Sequence, residues 1–181
     1  MNKPLIALVM VILLVGLAYL YLVTAGEPVI SLKTYVSSSG DLTFNYPADY
    51  VLEERAAAGG ERGEQHLTLI QESELKSGAS EGPTSITIDI YQNDLDKLTT
   101  EQWIKNDARS NFKLSPDGKL SSTPLSRRVA LTYIWDGLYR GETVALATNK
   151  NVYAFSVTTL TAEDQIKSDF EALLKTVDIK E

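Results

Sequence analysis

Leu5 to Val23, LIALVMVILLVGLAYLYLV, are 19 consecutive residues without a charge, and no other stretch constrains the chain so strongly. At 1.5 Å per residue a helix of this length reaches about 28 Å, close to the ~30 Å hydrocarbon core of a bilayer. A helix on the surface of a globular domain has a polar stripe, and this run has none on any face. Tyr19 and Tyr21 stand near one end, where amphipathic rings favour the headgroup level. Two readings follow. A cleaved signal peptide fits the small residues ending at Ala25, but signal cores usually run roughly 7–15 residues and this one is longer. A retained anchor fits the length better. Under both, Lys3 is the only charged side chain before the run, so the first residues stay in the cytoplasm and the rest is exported. The expected organisation is a short cytoplasmic tail over 1–4, a transmembrane helix over 5–23, a linker over 24–40 and one extracytoplasmic domain over 41–181. The membrane is thus the first expected partner, through residues 5–23, at the outer face of a cytoplasmic membrane.

The sequence contains no cysteine. That excludes disulfides, thiolate nucleophiles, a lipobox and Cys-based zinc or iron–sulfur sites. The 141 residues from Asp41 to Glu181 must therefore cohere through their core, and a domain of that size buries about two thirds of its unfolded surface. All 24 acidic residues follow the apolar run, against 16 of the 17 basic ones, a net charge of −8. Such a domain is repelled by nucleic acid and by anionic lipid, which removes nucleic acid as an electrostatic partner.

Hydrophobic period organises the rest. Residues 24–40 have no clear period and end in Ser-Ser-Ser-Gly, a tether composition, with room for a short strand around 29–32. Leu42, Phe44 and Tyr46 alternate with polar neighbours, which predicts a strand that Pro47 stops and a second that begins at Tyr50. Residues 56–64 read as a Gly-rich loop, and 66–72 and 85–92 as strands. Between Leu95 and Phe112 the period becomes helical, with a Thr99–Gln102 capping box and an Ile104, Ala108, Phe112 stripe. Strands follow over 127–135, 139–148 and 152–160, joined at Asp136-Gly137 and Asn149-Lys150-Asn151. Thr161 and Asp164 predict a capping box for a closing helix whose apolar face is Ile166, Phe170, Leu173, Leu174 and Val177. Hairpin-linked strands with inserted helices predict an α+β domain with an antiparallel sheet.

The Phe44-x-Tyr46-Pro47-x-x-Tyr50 opening, a mid-chain helix with Trp103, a hairpin meander, and a closing helix with Phe170 that runs into Val177–Ile179 form a pattern. Over residues 40–181 it resembles the PsbP-like domain, a fold shared with the Ran-binding nuclear import factor and small bacterial envelope proteins. The resemblance implies an antiparallel β-sheet flanked by helices, an α-β-α sandwich, preceded here by a single transmembrane helix. It implies little about activity, because the fold hosts unrelated functions. The opening aromatics are expected to serve packing alone.

Gly78-Ala79-Ser80-Glu81-Gly82 matches a nucleophile elbow in letters only, since the elbow needs a strand before the serine and a helix after it. His66 is the only histidine and cannot build a His-rich metal site. Asn93-Asp94-Leu95-Asp96 lacks the glycine and glutamate of a calcium loop. No pattern for a cofactor, a metal or a catalytic set emerges. One patch has the residue types of binding hot spots: Trp135, Tyr139 and Arg140 around the Asp136-Gly137 turn, a candidate partner-binding tip. The competing reading places Trp135 on the core face with Tyr133. The sequence thus points to a non-enzymatic binding or assembly module whose partner is another envelope protein. The alternative is a tethered or secreted hydrolase using carboxylates that no pattern singles out.

Overall fold

Val152, Tyr153, Ala154 and Phe155 are four successive buried residues, so the strand that holds them has cover on both faces. The computed structural model shows why. It describes residues 31–56, 63–77, 82–161 and 164–180. The chain divides into two units, Met1–Ser31 and Leu32–Glu181, and the second is described here. The expected membrane span over 5–23 lies outside the described residues. Among those described, no helix is long and apolar enough to cross a membrane.

The elements in chain order are β1 (Leu32–Val36), β2 (Leu42–Pro47), β3 (Tyr50–Ala56), β4 (Glu64–Gln71), α1 (Glu72–Ser77) and β5 (Ile86–Gln92). Then come α2 (Thr100–Asn106), two 3-10 turns (Ala108–Ser110 and Phe112–Leu114), β6 (Ser121–Leu125) and β7 (Arg128–Asp136). The chain continues with β8 (Arg140–Ala147), β9 (Asn151–Thr159), α3 (Gln165–Leu174) and β10 (Asp178–Ile179). Seven strands form an antiparallel sheet in the order β3-β4-β5-β9-β8-β7-β6, and β1, β2 and β10 form a smaller one. This is the expected α+β fold with antiparallel sheets and few helices.

Strand alternation sorts the core into two clusters. Leu67, Ile88, Val144, Phe155 and Phe170 belong to the larger, together with Tyr35, Leu42 and Phe44 of the small sheet. Tyr91, Trp103, Ile104, Tyr133, Trp135, Ala145 and Ala154 form the other, under α2. Helix α3 packs on β2 and β9, and α2 on β7 and β8.

Four expectations change in detail. The folded unit begins at Leu32, inside the stretch read as a linker, because β1 pairs with β2 and Tyr35 stacks on Phe44 at 5.0 Å. The mid-chain helix is only Thr100–Asn106. Asp107 takes an extended backbone and caps the next turn by accepting from Arg109 N–H at 2.9 Å, and Asn111 is left-handed. Asp and Asn compete locally with helical hydrogen bonds, so the stripe breaks and Ala108 is exposed. The last helix starts at Gln165, because the Asp164 carboxylate turns back to accept from Leu160 N–H (2.6 Å) and Thr161 N–H (2.9 Å). The polar run at 72–77 is a helix, α1. Most of the Gly-rich loop and residues 78–81 lie outside the described residues. What is described around 78–82 is a helix before and a strand after, the reverse of a nucleophile elbow.

Candidate functional site

Arg140 opens β8, and the hairpin it shares with β7 decides where the predicted patch lies. The register pairs Trp135 with Gly141 and Asp136 with Arg140, leaving a three-residue loop, 137–139. Successive side chains point to opposite faces, so Arg140 lies on the face away from Trp135. Trp135 is 9% exposed and covers Gly141: a Cβ there would fall 2.2 Å from indole atoms. Its Nε1 donates to Thr143 Oγ1 at 2.9 Å, and that hydroxyl meets Ser156 Oγ at 2.8 Å. Trp135 is therefore a core residue. Tyr139 is half-buried, and its hydroxyl donates to the Gly82 carbonyl at 2.7 Å, spanning the end of β9. The three residues are neighbours in sequence but do not form one surface.

On the Arg140 side the sheet is only partly covered. A hollow of about 300 Å³ lies between Arg140, Ile134, Thr132, Glu142 and the 116–119 turn. A second, smaller hollow shares Ile134, Arg140 and Glu142 and extends to Lys167 of α3. Two ion pairs frame them, Lys167 with Glu142 at 3.5 Å and Lys119 with Asp117 at 3.7 Å. Arg140 is exposed, and among the described residues its guanidinium has no ionic partner. Leu138, in the hairpin loop, and Leu160, just past the Arg140–Thr159 ladder pair, are 74% and 72% exposed.

A second cluster sits on β4 and β5, on the face that includes Tyr91. His66 and Asp89 are ladder partners, with Nδ1 and Oδ1 2.5 Å apart. Burial pushes the Asp89 carboxyl up, against the pull of His66. Glu64 lies 3.9 Å from the other ring nitrogen, and Arg109 lies 4.3 Å over the Tyr91 ring. The Arg109 guanidinium binds Glu64 and both Asp107 oxygens, and it holds Asp107 below the usual carboxylate range. A His–Asp pair of this kind can hold or pass a proton. Among the described residues no three His, Asp or Glu side chains are grouped as a metal site needs. In the sequence His66 is a lone histidine that cannot build a His-rich metal site, and its partner Asp89 lies 23 positions away. The available signal was a polar residue on each of two strands, facing away from the core isoleucines.

Tyr50 also exceeds its expected packing role. Its buried hydroxyl donates to Asp169 Oδ2 of α3 at 2.8 Å, tying the opening segment to the closing helix.

No protein-family model and no curated protein matches the sequence. Among solved structures, the cyanobacterial PsbP (CyanoP) of Synechocystis sp. PCC 6803 is similar at 12% identity with a TM-score of 0.56, over 86% of this chain and 96% of that one. A crystal structure from Bacteroides thetaiotaomicron is similar at 12% identity with a TM-score of 0.54, over 82% of this chain. The present chain spans about half the length of that protein, covering 48% of it. Identities this low speak to architecture alone, and the architecture is PsbP-like.

Proposed function

We propose that this chain is a non-enzymatic protein-binding or assembly module of the cell envelope. Residues 5–23 hold it at the outer face of a cytoplasmic membrane, with its amino terminus inside. The observation that supports the binding role most directly is the uncovered corner of the large sheet, where Arg140 borders a hollow of about 300 Å³ and the loop of the same hairpin exposes Leu138. Arginine is one of the residue types enriched in interface hot spots. The PsbP-like fold fits a non-catalytic domain.

Chemical crosslinking in native membranes tests the reading. A discrete adduct with another envelope protein is the expected outcome. Monomer alone, at every reagent length, would count against it. A mature amino terminus at Gly26 by mass spectrometry would remove the anchor.

The His66–Asp89 pair favours a second reading, a tethered hydrolase in which the imidazole acts as base and Asp89 orients it. Turnover of generic ester, peptide or glycoside substrates that is abolished by His66→Ala would displace the first reading.

A further inference from the structure

We infer that the hollow beside Arg140 is the docking site for an acidic, apolar peptide segment of a partner protein, a specification that rests on the binding-module reading. Charge points there first. Around the hollow Lys167 is matched by Glu142 and Lys119 by Asp117, whereas Arg140 meets no carboxylate among the described residues. A guanidinium presents a planar fork of donors that fits a carboxylate with two parallel hydrogen bonds. The domain's net charge of −8 opposes this little, because charges more than about 8 Å away are largely screened at physiological salt.

Apolar surface supplies the second half. Ile134 lines both hollows, and Leu138 and Leu160 project beyond the last ladder pair of β8 and β9. A segment that covers these side chains while placing a carboxylate on Arg140 satisfies both features. The surface is also pre-organised. Trp135 is seated on Gly141 and the Tyr139 hydroxyl is bonded to Gly82, so the hairpin loses little freedom when a partner arrives. An anionic bilayer fits less well, because it would bring many charges at once against Asp117, Asp136, Glu142 and Asp164 at this end of the sheet or around the hollow, whereas a peptide can set a single carboxylate on Arg140.

The test uses the full chain in native membranes, with Leu138 replaced by photoreactive p-benzoylphenylalanine and a control probe at exposed Lys105 of α2. The expected result is a protein adduct at position 138 whose mapped peptide contains Asp or Glu beside bulky apolar residues. Its yield should fall about tenfold or more with Arg140→Ala and partly recover with Arg140→Lys, with the melting temperature unchanged in both. An adduct with lipid, with a second copy of this chain, or with a peptide lacking carboxylates overturns the inference, as does indifference to Arg140→Ala. A protein adduct at 105 with none at 138 defeats the docking site and leaves the binding-module reading standing. Absence of protein adducts at both positions defeats the two together.

Discussion

Trp135 and Gly141 act as one unit: the indole rests where a side chain on residue 141 would have to be. Replacing Trp135 with alanine should destabilise the fold by about 3–5 kcal/mol, the usual cost of emptying an aromatic site. Gly141→Ala should cost about 1–3 kcal/mol, because the new methyl would displace a ring locked in the core. The two costs should not add in the double variant, since removing the indole removes the clash. Chemical denaturation of the four proteins measures this, and additive costs would show that the ring does not rest on residue 141. Val129, Leu131, Tyr133 and Trp135 alternate in the sequence, so the core-facing role of Trp135 was legible there. Yet Val129 on the same strand is 71% exposed, so among the described residues its face of β7 is left uncovered there. Period reports a shared face; cover is decided by what packs on it.

Helix α2 and the turn after it show the same division at the scale of an element. The reciprocal bonds of the predicted box are present: Gln102 N–H donates to Thr99 Oγ1 at 3.2 Å and Thr99 N–H donates to Gln102 Oε1 at 2.9 Å. Contacts three residues apart can be read from a sequence. The helix end could not be placed the same way, because Asp107 is fixed by Arg109, which in turn lies over Tyr91 and binds Glu64 of β4. This linkage has a pH signature. The hydrogen bonds from Arg109 lower the Asp107 pKa below its unfolded value. The stabilisation is therefore present above about pH 4 and disappears as pH falls through the lower, folded value. Asp107→Asn should reduce the urea midpoint at pH 7, by an amount that shrinks as pH falls below about 4. A constant difference across that range would show that the carboxylate charge is not what holds the turn.

For the whole molecule, burial raises the pKa of Tyr35, Tyr50, Tyr91 and Tyr133, the last to about 12. A raised folded pKa means that the stabilisation is complete below the unfolded value of about 10 and is lost as pH climbs through the folded ones. These four phenols join both core clusters, so their ionisation should coincide with global unfolding. Tyrosinate absorbance and far-ultraviolet circular dichroism, followed together from pH 9 to 13, should show a late rise in the first that matches loss of the second. Complete ionisation near pH 10 with the dichroism intact would contradict the buried placement. The sequence by itself determined most of the strands of the large sheet, the capped start of α2, the core face of α3, the α+β class, the absence of thiol chemistry and the two faces of β7, because period and local caps are short-range properties. Tertiary structure alone decided that β1 joins the fold, that His66 meets Asp89 and Tyr50 meets Asp169, and that Arg140 is parted from Trp135. Each of those depends on strand register or on packing between distant segments, and shifting a strand by one residue would exchange its faces.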